Sequence, residues 1–142
     1  VYPAGHVLQV VQGTIETAAL TSTSSTYVTT NLDVTITPSS TSSKVLVIIS
    51  QTYDNEESEK AIEFALYRDG ASIQDKIGYG YTRASGDANG RVIATFSYNH
   101  LHSPATESST TYQLYARSPG SNQVSFRYEG VASTIIAMEI QG

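Results

Sequence analysis

Short apolar bursts rich in β-branched residues recur along the whole chain. Each is closed within a few residues by Gly, Pro, Asp, Asn or Ser, and no convincing helical period appears. That rhythm restricts the fold to an all-β architecture. His6–Gln12 is the first burst, closed by Gly13, and Thr14–Ala18 follows. The Ser/Thr tract from Thr21 to Thr26 has the composition of a linker, but Tyr27–Thr30 and Asp33–Thr37 resume the β pattern behind it. Pro38–Ser43 is a polar turn, because Pro ends a hydrogen-bonded ladder and hydroxyl side chains favour local turns. Lys44–Ser50 is nearly continuous apolar sequence, the pattern of a strand covered on both faces.

The second half alternates more cleanly. Ala61–Arg68 sets Ile62, Phe64 and Leu66 on one face and Glu63, Ala65 and Tyr67 on the other. Asp69-Gly70 then supplies a two-residue hairpin turn before Ala71–Ile77. A helix over Asn55–Leu66, with acidic residues near its start, is the competing reading; the period-2 face and the Asp69-Gly70 turn favour a strand from Ala61. Arg91–His100 is another alternating strand, and Thr111–Ser118 and Asn122–Tyr128 flank Pro119-Gly120 as a second hairpin. Ser133–Ile140 closes the chain. About ten strands in 142 residues predict a single antiparallel β-sandwich, jelly-roll-like, over residues 6–142, with residues 1–5 as an N-terminal connector. The expected core includes Val45, Val47, Ile49, Phe64, Leu66, Phe96, Leu114, Phe126, Ile136 and Met138. Leu46, Ile48, Ile93 and Ile135 then face outward. Such aliphatic faces predict a homo-oligomer, with a small closed ring as the expected form.

Composition narrows the function. With no cysteine there is no disulfide framework and no Cys-ligated zinc or iron–sulfur site. The longest apolar run, Val45–Ile49, is far below the roughly 20 residues of a membrane helix, so no membrane insertion is expected. A net charge of −5, without clustered Lys and Arg, argues against nucleic acid as a partner. Residues 1–6 lack the basic and apolar regions of a signal peptide. No G-x-S-x-G elbow, H-E-x-x-H helix motif or phosphate-binding G-x-x-x-x-G-K occurs, so neither an enzyme nor a cofactor is expected.

Two motifs stand out as candidate sites. Gly78-Tyr79-Gly80-Tyr81, followed by Arg83, offers two aromatic rings and a hydrogen-bond donor, a combination suited to sugar faces. The plainer alternative is a hairpin whose tyrosines pack on a neighbouring strand or subunit. His100-Leu101-His102 places two imidazoles on one side of a strand. On a threefold axis six nitrogens would converge on a transition metal; otherwise these are solvated or hydrogen-bonded histidines at a strand end. The acidic run Asp54–Glu59 lacks the ligand spacing of a calcium loop and reads as a solvated face.

The stretches AGHVLQVVQGT, TSTSSTYVTTNLDVTITPSSTSSKVLVIIS and STIIAMEIQG resemble a domain common in marine tailed-phage virion proteins. The matching pieces are Val7–Val11, Thr35–Val47, Arg68–Gly70, Ser103–Tyr112 and Thr134–Gly142, so the resemblance spans nearly the whole chain. Asp54–Lys60 has no counterpart in that pattern. The resemblance implies a trimeric, exterior virion module of tail-fibre or capsid-fibre type, located on the virion surface and partnered by other virion proteins. It implies no catalytic residue. His-x-His metal binding is known among trimeric phage fibres, which makes His100 and His102 relevant. Host-surface glycan is the expected external partner, through Tyr79, Tyr81 and Arg83. Two other readings fit the same residues: a carbohydrate-binding module of a secreted protein, and a self-assembling decoration or filament subunit.

Overall fold

The structure, a computed structural model, describes residues 3–16, 20–55, 59–82 and 90–142, with the side chain of residue 128 left aside. In chain order the strands are β1 (Val7–Ile15), β2 (Leu20–Ser22), β3 (Val28–Ile36), β4 (Lys44–Asn55), β5 (Ala61–Arg68), β6 (Ala71–Tyr81), β7 (Val92–His102), β8 (Thr110–Arg117), β9 (Val124–Phe126) and β10 (Ser133–Ile140). A 3-10 turn spans Tyr128–Gly130. Among the described residues there is no helix long and apolar enough to cross a membrane.

Every pairing is antiparallel, and the long strands nest around one turn. β5 pairs β6, β4 pairs β7, β3 pairs β8 and β1 pairs β10, so most of the chain is one long hairpin rolled up about Asp69-Gly70. Both turn residues have positive φ (50° and 82°), the requirement of the type I′ turn whose twist matches the flanking strands. Rolling gives two sheets: sheet I runs β1-β10-β4, with β7 along the far side of β4, and sheet II runs β3-β8-β5-β6. Short β9 and β2 continue sheet I beside the far end of β4. This is the jelly-roll order expected from the strand rhythm.

The core lies between the sheets. Val45, Val47 and Ile49 of β4 face Ile62, Phe64 and Leu66 of β5 and Tyr112 and Leu114 of β8, all buried. Phe64 is central: its ring stacks on Phe96 at 4.4 Å and meets Tyr53 and Phe126 edge-on. Burying such a side chain stabilises the fold by about 1.5–3 kcal/mol. At one edge of the sandwich β1 and β3 nearly touch. Gly13 is required there, since a side chain would run into the backbone carbonyl of Asp33. Gly13 therefore does not end the first strand, which continues to Ile15.

Two further expectations fail, each for a physical reason. β10 turns Ser133, Ile135, Ala137 and Glu139 inward, so Ile136 and Met138 face out and Ile135 faces in. The buried Glu139 carboxylate fixes that choice. It accepts hydrogen bonds from Gln9 Nε2 (2.6 Å) and from Ser39 N, Ser39 Oγ and Ser43 Oγ (2.7 Å each). Burial alone would raise its pKa, but these four donors outweigh it and hold the carboxyl below its usual range. The second failure is Pro119-Gly120, which does not close a hairpin. β8 belongs to sheet II and β9 to sheet I, so the turn crosses between sheets. Ser118 N donates to Ser24 O and Asn122 Nδ2 to Asn55 Oδ1, tying the crossing to other segments. At the chain start, Gly5 N donates to Gln141 O, so the described part of the connector is hydrogen-bonded beside β10.

Candidate functional site

The Tyr79–Tyr81 motif sits near the end of β6, the edge strand of sheet II. Alternation sends Gly78 and Gly80 inward and the two tyrosines outward. The glycines are there for room: a side chain at Gly78 would strike the Phe96 ring, and one at Gly80 would press on Tyr53 and Ile62. Tyr79 is 55% and Tyr81 45% exposed, and their rings lie nearly parallel with centroids 6.3 Å apart. Arg83, the third member of the sequence motif, lies outside the described residues.

A charged group abuts this pair that the sequence motif did not include. Tyr79 is in register with Glu63 of β5, which in turn is in register with Arg117 of β8. Glu63 is only 4% exposed, held by Arg117 through Nη2 (2.7 Å) and Nε (2.8 Å), and by Lys76 Nζ at 3.0 Å. Burial pushes its carboxyl up, but hydrogen bonds from Arg117 and Lys76 prevail and hold it below the ordinary range. The bond to Glu63 correspondingly raises Arg117. Lys76 has a positive φ of 54° at an irregularity in the β5–β6 ladder, and its ammonium lies 5.5 Å from the Tyr79 ring centre.

Three further tyrosines continue the same face. Tyr67 and Tyr115 stack at 3.9 Å, Tyr27 leans on Tyr67 at 6.3 Å, and Arg117 covers the Tyr27 ring at 4.7 Å. Tyr27 Oη accepts a hydrogen bond from Lys76 N. Burial raises the Tyr27 and Tyr67 phenols, so both stay protonated at neutral pH. Chemically, the face offers flat apolar rings, hydroxyls and a fixed ion cluster, a set suited to polar ligands with apolar patches. A signal for it was present in the outward positions of β5 and β8, where Glu63, Tyr67, Tyr115 and Arg117 alternate with core residues.

His100 and His102 do share one side of β7, as their spacing predicts, and that side faces the interior: His100 is in register with buried Val47. Their rings continue a ladder, Phe96–Tyr98–His100–His102, at 6.1–6.3 Å steps. His102 Nδ1 shares a 2.9 Å hydrogen bond with Tyr112 Oη. Burial, with Arg68 and His100 nearby, lowers the His102 pKa, and burial pushes Tyr112 up to about 12. Among the described residues no three His, Asp or Glu side chains are grouped to hold a metal ion. The acidic run, expected as a solvated face, is not one at Asp54, which is fully buried and paired with Arg91; residues 56–58 of the run lie outside the described residues.

No family model matches the chain, and no curated protein matches it. Among solved structures it is similar to dimeric latent PorU from Porphyromonas gingivalis, at 12% identity and a TM-score of 0.38. That match covers 99% of this chain and 14% of the PorU chain.

Proposed function

We propose that this chain is a non-catalytic structural module of a phage particle, of tail-fibre or capsid-fibre type, that assembles as a homo-oligomer and contacts host-surface glycan through sheet II. The sequence resemblance, which spans nearly the whole chain, supports the virion assignment. The jelly roll is compatible with it, being a recurrent architecture of both viral shells and sugar-binding domains. The observation that carries the glycan contact is the exposed, nearly parallel Tyr79–Tyr81 pair beside the ion-paired Glu63–Lys76–Arg117 group. The rings stack on the apolar faces of successive sugars while Lys76 and Arg117 donate to their hydroxyls. Glycan-array binding tests this directly. The wild type is expected to retain a discrete set of glycans. Tyr79→Ala and Tyr81→Ala each weaken binding about tenfold, equivalent to about 1.4 kcal/mol. A folded chain that retains no glycan, or that binds equally well without both rings, contradicts the reading.

A further inference from the structure

The outer face of sheet I is a separate surface, and its register makes a pattern. Val10, Met138, Leu46 and Leu101 stand side by side across β1, β10, β4 and β7. The next outward row is Gln12, Ile136, Ile48 and Asn99, and the row after it is Thr14, Thr134, Ser50 and Ser97. The rows are thus wholly apolar, then amide–apolar–apolar–amide, then wholly hydroxyl. None of these twelve positions is charged, in a chain of net charge −5. Val10 and Leu101, on the flanking strands, are each 53% exposed.

The geometry points to a second copy of this chain as the occupant of that face, related by a two-fold axis parallel to the strands. Such an axis keeps each row in place and exchanges β1 with β7 and β10 with β4. Val10 then faces Leu101 of the partner subunit, and Met138 faces the partner's Leu46. In the middle row Gln12 meets the partner's Asn99, amide to amide, while Ile136 meets the partner's Ile48. In the third row hydroxyl meets hydroxyl. A two-fold axis perpendicular to the strands would instead set the apolar row against the hydroxyl row if it crossed the middle row, or Lys44 against the partner's Ile48 if it crossed the apolar row. The pattern therefore selects one isologous arrangement.

Charge and size both favour this occupant. Two chains of the same negative sign repel, and this face lets them meet with no charge opposed. Three rows about 6.8 Å apart on four strands about 4.8 Å apart span roughly 400 Å² in projection. Side-chain relief carries the accessible area toward the ~800 Å² per partner of a stable interface. This inference concerns sheet I and does not depend on the glycan reading of sheet II. It replaces the three-fold ring expected from the sequence with a two-fold pair.

A cysteine-free chain makes the geometry directly testable. Gln12 and Asn99 are exposed, so Q12C and N99C disturb no core. A short bis-maleimide should join two chains of the Q12C/N99C double variant and leave each single variant unjoined. Like columns lie about three strand spacings apart, roughly 14 Å, beyond such a linker. Light scattering on the wild-type 142-residue chain should give about twice its 15.3 kDa at about 100 μM. A monomeric or trimeric mass overturns the proposal, as does a single variant that cross-links as readily as the double one.

Discussion

Across sheet I the outward row Val10–Met138–Leu46–Leu101 contains no polar atom beyond a thioether, whereas across sheet II the row Asp33–Gln113–Tyr67–Ser72 contains no aliphatic side chain. Both rows cross four antiparallel strands of one sandwich, and both cover the same core from opposite sides. The difference teaches where the chain can tolerate contact. An aliphatic row gains free energy by being covered, which is why the proposed second copy is placed on sheet I. A row of phenols, amides and carboxylates stays favourable in water and can exchange that water for sugar hydroxyls.

The comparison presupposes that one rigid sandwich carries both faces, and the largest expected effect comes from breaking that link. Glu139 pins the Ser39–Ser43 turn and β1 to β10 from the interior. Glu139→Ala leaves four donors without their acceptor and should cost about 3 kcal/mol, read as a lowered denaturation midpoint. The pH dependence has a definite sign. Because the folded pKa of Glu139 is depressed, its contribution is present above the ordinary value of 4.5 and is lost as pH falls through the lower folded value. Glu139→Gln should remove that acid-side slope. A slope unchanged in the variant would show that Glu139 is not the titrating pin.

A smaller effect sharpens the contrast by pressing on the core from the sheet II side. Gly78→Ala pushes a methyl into the Phe96 ring and should destabilise the fold by about 2 kcal/mol, the usual size of core overpacking. It also shifts the β6 edge that carries Tyr79, so glycan retention should fall while sheet I association, in the folded fraction, stays unchanged. Loss of both together would mean that the two faces are not independent.

Much of this was legible in the sequence. Asp69-Gly70 named the central hairpin because its two residues tolerate positive φ; alternation in β5 placed Phe64 and Leu66 in the core, and spacing in β7 set the two histidines on one side without showing that this side faces the interior. Alternation also sent Leu46 and Ile48 outward. What the sequence hid were long-range effects. β10 carries apolar residues on both faces, and only the donors around Glu139, up to 130 residues away, decide which face is buried. Pro119-Gly120 has hairpin composition, yet hydrogen bonds to Ser24 and Asn55 send the chain to the other sheet. In the sequence, Gly78 and Gly80 stand only as neighbours of the two tyrosines. They are close-approach sites for Phe96 and Tyr53, a role visible only once two sheets are packed.

The division of labour between the faces can be read in one measurement, because the chain's only methionine, Met138, lies in the apolar row of sheet I. Hydroxyl-radical footprinting from about 1 to 100 μM labels Met138 and the Tyr79–Tyr81 pair together, over the range where an interface of this size associates. The account predicts that Met138 becomes protected as concentration rises while Tyr79 and Tyr81 are labelled equally throughout. Constant labelling of Met138, or protection of the tyrosines in step with it, would contradict the account.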